Sequence, residues 1–323
     1  MRSERDLNLT QLRFLLAVIQ HGTYSQAALE LDVSQSTISH AIQELERNLQ
    51  GRLLERGRHG AKPTALGERV AAHARNALFS LAAIREEAAL ERAELTGLIR
   101  LASIRSYATL VLPAILREFR AAHPNVQFEM VDVESDPGGI EAGLILGRAD
   151  VGILGQPESD GLMSFELLHD DYLMIMPDDG REPPRDWDSL DLSSIMVCDG
   201  ECSRFLVKRL AQSGRSFRPI INTRDDSVIL SMVAHGMGVA VMPAISTHPM
   251  PPGVRAFPLP EPLERVITVS VTPARYASPV VRAFVTALRS ADHSNLEPMA
   301  RAPKQAVPTG EMQKKRAEAR DTN

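Results

Sequence analysis

Residues 25–56, SQAALELDVSQSTISHAIQELERNLQGRLLER, constrain this chain more than any other stretch. They predict two helices joined by a tight connection at Asp32-Val33. Ala27, Ala28 and Leu31 give the first helix one apolar side. Ser34 is a good N-cap for the second, because its hydroxyl can accept an N–H that the first turn leaves without a partner. Ile38, Ile42, Leu45 and Leu49 follow at spacings of 4, 3 and 4, which is one face of an α-helix. The opposite face carries Gln35, Ser36, Thr37, Ser39, His40 and Gln43, with no acid before Glu44. An ordinary exposed helix favours Asp or Glu in its first turn, where they meet the positive end of the helix dipole. Acids there would repel phosphates, whereas small hydroxyls and glutamines can approach a phosphate or a base edge, and Gln can bind adenine bidentately. Two surface helices of an ordinary helical domain are the plainer reading. The composition of the second helix fits the recognition helix of a helix-turn-helix unit better.

The order and spacing of Ala27-Ala28, Leu31, Ser34-Gln35-Ser36, Ser39, Ile42, Leu45-Glu46, Leu49, Leu53-Leu54-Glu55-Arg56 and Thr64-x-x-Gly67 resemble the N-terminal region of the LysR-type transcriptional regulators. A weaker match continues to about residue 290. The resemblance implies an N-terminal all-α winged helix-turn-helix, a long linker helix, and a two-lobed α/β effector-binding domain of the periplasmic-binding-protein-like type. The implied wing is the basic, turn-rich GRHGAKPTALGE, with Arg56, Arg58 and Lys62 set to meet the DNA backbone. Pro63, Leu66 and Gln50-Gly51 depart from the family pattern here. The candidate DNA-binding residues are therefore Gln35, Ser36, Thr37, Ser39, His40, Gln43, Arg56, Arg58 and Lys62.

In chain order, residues 9–21 predict a first helix ended by Gly22, and Thr23-x-x-Gln26 fits a capping box for the next. Residues 67–95 read as one long helix in which Val70, Ala74, Ala77, Leu81, Ile84 and Ala88 form a shallow a/d seam. A single amphipathic helix packed on its own domain is the alternative. A dimer gains support because one helix-turn-helix reads only a half-site. From residue 98 the pattern becomes strand-helix-strand-helix-strand, with a helix expected over Tyr107–Ala121, and this predicts a parallel α/β lobe. A second lobe follows the strand at Leu173–Met176, including a helix over Arg204–Ser213. Gly236-Met237-Gly238 follows a helix instead of opening one, so it reads as a tight connection and not a nucleotide fingerprint. The expected boundaries are 1–67 for the DNA-binding domain, 68–96 for the linker and 97–292 for the effector-binding domain. Its first lobe takes 97–170 and 272–292, and its second 171–271. Residues 293–323, rich in Pro and charge and with only Leu296, Met299, Val307 and Met312 as apolar residues larger than alanine apart from the prolines, predict a disordered tail.

Ligands in such folds sit at the C-terminal ends of strands, often against helix N-termini. Ser103, Ser106 and Thr109 fall at one such place, which would suit an anionic effector. Cys202 and Ser203 are the candidates from the second lobe, and Ser135 and Asp226 could complete the wall. Ser106 matches a hydroxyl position that the family uses in effector recognition; it could also cap its helix.

The formal charge of −5 gives no global basic field, but Arg52, Arg56, Arg58 and Lys62 cluster against Glu55 alone. The N-terminus lacks the apolar run of a signal peptide, and no run reaches the ~18 residues of a membrane span, so a cytoplasmic protein is expected. Two cysteines, Cys198 and Cys202, make no disulfide framework. Scattered histidines offer no metal set, and no cofactor is expected. Asp225-Asp226 are helix neighbours that do not face each other, and no catalytic constellation accompanies them, so an enzyme is not expected. The alternatives are a cytoplasmic solute-binding module, or a redox-sensing one built on Cys198 and Cys202, with the helix-turn-helix serving only for interaction. By resemblance the partners are double-stranded DNA carrying an imperfect palindrome, a second copy in a dimer that pairs into a tetramer, a small-molecule effector and RNA polymerase.

Overall fold

The computed structural model describes residues 7–57, 60–91, 94–133, 138–155, 157, 159–187, 195–198, 207–208, 211, 214, 221–223, 225–293 and 300–301. The chain divides into two compact units. One holds Met1–Ile104, Leu116–Ser164 and Ser270–Ala287; the other holds Arg105–Ile115, Phe165–Val269 and Leu288–Asn323.

The first unit begins with three helices, α1 (Leu9–His21), α2 (Tyr24–Glu30) and α3 (Gln35–Leu49). Asn8 and Gln11 form a reciprocal capping box at the start of α1, and Gly22 ends it in the left-handed conformation, its N–H donating to Val18. Thr23 caps α2 by accepting from the Gln26 N–H. Leu15, Val18, Ala27, Ile38, Ile42 and Leu45 are fully or almost fully buried in one core. Glu46 turns back to accept from the backbone N–H groups of Leu53 (2.7 Å) and Leu54 (3.2 Å), which fixes where the chain leaves α3. The wing is a two-stranded ribbon, β1 (Leu54–Gly57) against β2 (Gly60–Pro63). Gly60 lies against the α1–α2 connection: a Cβ there would sit 2.2 Å from the Gly22 carbonyl oxygen. That oxygen accepts the Ala61 N–H at 2.7 Å. Gly67 is equally constrained, since a Cβ would fall 2.0 Å from the Leu53 carbonyl oxygen.

The linker helix α4 runs from Ala65 to Leu90, two residues earlier at its start and five shorter at its end than the apolar spacing suggested. Beyond it a parallel sheet has the order β4 (Val126–Met130), β3 (Gly97–Ser103), β5 (Val151–Gly155). Phe119, Phe128 and Phe284 meet in a cluster with ring centroids 4.9–5.9 Å apart, and α7 (Gly139–Ile145) packs on β5. The helix expected at 107–121 is two helices, α5 (Arg105–Leu110) and α6 (Leu112–Ala122). Pro113 has no N–H to give to the Thr109 carbonyl, so the helical ladder breaks at this point.

Arg275, on the short helix α9 (Pro273–Tyr276), joins α4 to the sheet. It is fully buried. Its Nε lies 3.3 Å from Asp150 Oδ1, its Nη2 donates to Asn76 at 3.2 Å, and its guanidinium stacks 3.8 Å from the centre of the Phe79 ring. Arg75 donates to the Leu146 carbonyl at 3.2 Å. Farther along α4, Glu86 is buried and accepts from the Ser278 hydroxyl at 2.5 Å. The final helix α10 (Pro279–Ser290) starts beside Ser278.

In the second unit β6 (Met163–Pro177) pairs antiparallel with β9 (Val239–Pro243) and with β10 (Val254–Pro258). β7 (Ile195–Cys198) runs parallel to β9 and to β8 (Asn222–Thr223). Alternate residues supply two cores. Tyr172, Met174, Met176, Val197 and Val241 face one side with Trp187. Ile175, Met196, Ala240 and Met242 face the other against Ile229, Leu230 and Val233 of α8 (Asp226–Ala234). Burial on both faces explains why these strands read as apolar runs without alternation. β11 (Glu264–Val271) lies beside β6. The helix expected at Arg204–Ser213 and the tail at 293–323 lie largely outside the described residues. Among the described residues, no helix is long and apolar enough to cross a membrane.

Two outcomes test this packing. Gln50 ends α3 at φ 54°, a left-handed position that favours glycine. Replacing it (Gln50→Gly) is expected to raise stability by about 0.5–1 kcal/mol in thermal or denaturant unfolding, the strain relieved exceeding the added freedom of the unfolded chain. Burial pushes the Glu86 carboxyl above its ordinary value, and the Ser278 hydroxyl only partly offsets this. A raised carboxyl stabilises the native state at low pH, and that contribution is lost as pH rises through the native value. Glu86→Gln keeps an acceptor for Ser278 without the charge. Its Tm is expected to exceed that of the unaltered protein at pH 8, with the difference shrinking towards pH 4.

Candidate functional site

The exposed face of α3 is assembled from its N-cap outward. Ser34 Oγ accepts the Thr37 N–H at 3.1 Å and lies 2.7 Å from the Ser36 hydroxyl and 2.8 Å from the Thr37 hydroxyl. Gln35, Ser36, Thr37, His40 and Gln43 are exposed, and Ser39 is half-buried with Gln43 Nε2 at 3.5 Å from its hydroxyl. No acidic residue lies in the first turn. Ile38, Ile42 and Leu45 hold the helix down from behind, so the polar side chains project from a fixed backbone. The Ser25 hydroxyl of α2 donates to the Gln35 side-chain oxygen at 3.1 Å. Beside this pair is a recess of about 270 Å³ whose walls come from α2, α3 and the wing: Thr23–Ser25, Gln35, Ser39 and Gly60-Ala61.

On the wing, Lys62 is exposed and stands opposite Glu55 in the ribbon. Arg56 is in β1 opposite Ala61, its side chain outside the described residues, and Arg58 lies outside them altogether. Pro63, one of the departures from the family pattern, occupies the end of β2 opposite Leu54, and Leu66 packs against the core of the head.

The six seam residues of α4 fall into two groups. Ala74 is buried in the head's own core and Val70 packs against it. Ala77 and Leu81 are half-buried, Ile84 is 65% exposed and Ala88 is exposed.

Of the expected effector residues, Ser103 ends β3 in the first unit and donates to the Ile104 carbonyl at 3.0 Å. The others that are described belong to the second unit. Ser106 is buried and accepts from Arg265 Nη2 at 3.1 Å. Arg265 in turn holds Asp170 Oδ2 through Nε (2.8 Å) and Nη2 (2.7 Å), and Asp170 Oδ1 accepts the Ile245 N–H at 3.1 Å. Burial pushes the Asp170 carboxyl above its ordinary value, and the Arg265 charge only partly offsets this. Ser106 therefore rests on a buried, charge-matched pair. Thr109 turns its hydroxyl back onto the carbonyls of Arg105 and Ser106. Asp226 is the first residue of α8; its neighbour Asp225 is the N-cap, accepting the Ser227 N–H at 3.0 Å. Ser135, Cys202 and Ser203 lie outside the described residues, as does the side chain of Cys198.

Sequence reasoning missed Asp170 and Arg265, which stand 95 positions apart in strands otherwise rich in apolar residues. The signal available was the charge itself. A strand buried on both faces has no use for an arginine unless a carboxylate meets it.

Residues 9–68 match the bacterial regulatory helix-turn-helix family of the lysR type, and residues 92–292 match the LysR substrate-binding domain. A probable HTH-type transcriptional regulator, LrrA of Synechococcus elongatus, is 38% identical over 286 residues, covering 88% of this chain and 97% of that protein. A probable hydrogen peroxide-inducible genes activator of Streptomyces viridosporus is 29% identical over 249 residues, 75% of this chain and 79% of that one. Among solved structures, a full-length OxyR variant from Pseudomonas aeruginosa superposes with a TM-score of 0.74 at 20% identity, covering 94% of this chain and 99% of that one. Full-length CbnR in complex with its target DNA superposes with a TM-score of 0.60 at 21% identity, covering 88% and 99%. With both halves matched and the fold shared, the chain belongs to the LysR family: it is a DNA-binding transcriptional regulator with an N-terminal helix-turn-helix and a two-lobed α/β effector-binding domain.

Proposed function

We propose that this regulator reads an imperfect palindrome as a dimer through the exposed face of α3, and that a small effector in the substrate-binding domain controls how it does so. The observation that carries the first part is the acid-free, hydroxyl- and amide-bearing first turn of α3 on a backbone fixed by buried Ile38, Ile42 and Leu45. Gln35, Ser36, Thr37, Ser39, His40 and Gln43 are the groups offered to the major groove, while Lys62, with Arg56 and Arg58, supplies charge for phosphates. CbnR, which shares the fold, is described in complex with target DNA. The functional division is 1–67 for reading, 68–96 for pairing, 97–292 for sensing and 293–323 as a tail.

Dimerisation uses the part of the α4 seam that the head leaves open: Ala77, Leu81, Ile84 and Ala88. Small residues there let two helices approach closely, and Leu81 and Ile84 supply the apolar area. Two dimers forming a tetramer and RNA polymerase as the downstream partner complete the reading, in the cytoplasm. For the effector, Ser106 offers a hydroxyl already oriented by Arg265, with Ser103, Thr109, Ser135, Cys202, Ser203 and Asp226 as further candidate groups. A small anion is the class best suited to hydroxyl donors.

Selection of bound duplexes from a fragment library of genomic DNA, followed by sequencing, tests the whole. The expected product is a palindrome with half-sites about one helical turn apart; folded protein that enriches no sequence at low salt would sink the reading. Lys62→Ala is expected to weaken binding to all duplexes alike and to reduce the slope of log affinity against log salt by about one. Ile84→Glu places a charge on the open seam. It is expected to give monomers in sedimentation at micromolar concentration and to lower affinity for the full site at least tenfold, while its unfolding temperature stays close to that of an unaltered monomer.

A further inference from the structure

We infer that the joint where α4 meets the parallel sheet holds a binding site for a phosphate-type oxyanion, formed by Arg275 with Arg75, Arg100 and Arg148. The site is separate from the exposed face of α3. Arg275 is fully buried, and a guanidinium carries five N–H donors and no acceptor. Its Nη2 donates to Asn76 at 3.2 Å, and its Nε faces Asp150 Oδ1 at 3.3 Å. Its Nη1 is buried and has no hydrogen-bond partner among the described residues. The Phe79 ring covers one face of the guanidinium, which leaves the N–H groups in its plane unanswered. A buried donor on a charged group is costly to leave unmatched, and native chains seldom do so.

Charge identifies the missing acceptor. Arg100 and Arg275 share one carboxylate, Asp150. Arg75 precedes Asn76 on α4 and donates to a neutral acceptor, the Leu146 carbonyl, at 3.2 Å. Gly147 closes the joint between them: a Cβ there would stand 2.9 Å from Arg275 Nη2, 3.2 Å from Asn76 Oδ1 and 3.3 Å from Arg75 Cβ. The lack of a side chain at Gly147 thus brings the backbone that carries Arg148 against both Arg75 and Arg275. The guanidinium groups act on one another. Burial pulls Arg75 below its ordinary value, Glu68 partly offsets this, and Arg148 and Arg100 pull it down further. Burial likewise pulls Arg275 down, Asp150 opposes this, and Arg100 and Arg75 add to it. Even with Arg148 set aside, three guanidinium groups stand against two carboxylates, Asp150 and Glu68. Water would answer Nη1 and leave that surplus in place. A doubly charged oxyanion answers both, and its oxygens suit the planar guanidinium fork. Arg75, Arg100 and Arg148 are each partly exposed, so an ion can enter from solvent.

The test leaves Arg275 unaltered, because removing it would strand Asp150. The full-length protein is unfolded thermally in rising inorganic phosphate, with ionic strength held constant by sodium chloride. Phosphate is expected to raise Tm along a saturating curve by about 3 °C or more, as follows when a site is filled in the native state and lost on unfolding. Titration calorimetry is expected to show a single phosphate bound per chain. Arg75→Gln and Arg148→Gln, made separately at partly exposed positions, are each expected to weaken phosphate about tenfold, the scale of one charge-assisted hydrogen bond. Arg148→Lys keeps the charge without the fork and is expected to fall between. A DNA phosphate carries the same chemistry. If bound DNA supplies the group, Arg148→Gln lowers the slope of log affinity against log salt by about one; if a free ion does, the slope stays unchanged. Either slope leaves the site in place and names its source. Two results overturn the inference. One is a Tm that rises no more in phosphate than in chloride of equal ionic strength. The other is a rise that does not saturate and is equal in the unaltered protein and both glutamine variants, which is general salt stabilisation and an adventitious ion only.

Discussion

Asp150 is 1% exposed and is met from three sides. The Arg100 N–H donates to Oδ2 at 2.9 Å, the Arg100 guanidinium closes a bidentate pair at 3.1 and 2.8 Å, and Arg275 approaches Oδ1 at 3.3 Å. A carboxylate taken out of water is costly unless it is paired and hydrogen-bonded. Asp150 is both, and its partners come from different parts of the chain. Arg100 belongs to β3, Asp150 precedes β5, and Arg275 sits on α9, from which its guanidinium reaches Asn76 and Phe79 on the linker helix. One buried charge thereby sets the register of two parallel strands and anchors α4 to the sheet. Burial pulls the Arg275 guanidinium down to about 10, still well charged at neutral pH. Removing either side of such a pair would strand the other, at a cost on the order of 3–5 kcal/mol.

That anchorage leaves one helix with a committed side and an open one. Ala71, Ala74, Glu86 and Ala89 are buried, and Asn76 and Phe79 meet Arg275. Ile84 and Glu86 are two residues apart, which on an α-helix places them on nearly opposite sides. Glu86 is buried against Ser278, and Ile84 is left exposed. The head core takes Val70 and Ala74 at the start of the same helix. An apolar residue exposed to this degree midway along a helix whose other side is fixed is available to a partner, whereas residues 70 and 74 are committed within the chain.

Much of this was legible in the sequence, and the reason differs by region. The head could be read because its apolar spacing, its Ser34 cap and its glycines are local, each specifying a turn or a face within a few residues. The break between α5 and α6 was missed although Pro113 announces it, because apolar periodicity runs through the break unaltered. The Asp170–Arg265 pair beneath Ser106 and the Asp150–Arg275 joint were invisible for another reason. Their partners lie 95 and 125 positions apart, and a charge in an apolar strand states only that some partner exists, not which. Glu46 is intermediate: its place in the Leu-Glu pair was noted, but its task of holding the Leu53 and Leu54 N–H groups depends on how the chain turns after α3.

The acidic balance of the whole chain is not at odds with a DNA-binding head. The net charge of −5 is spread over 323 residues, and charges farther than about 8–10 Å from a phosphate are largely screened at physiological salt. What matters is the surface brought within that distance. In the proposed reading that surface is α3, with no acid in its first turn, and the ribbon that carries Lys62. Glu55 stands across the ribbon from Lys62 and reduces the local surplus. Arg52, Arg56 and Arg58 of the same segment restore it, but a basic edge meets any duplex alike, so in the proposed reading discrimination comes from short-range hydrogen bonding. For that, side chains pre-set by Ser34 and Ser25 are better suited than flexible lysines, because their orientation is fixed before the duplex arrives and less ordering remains to be done on binding.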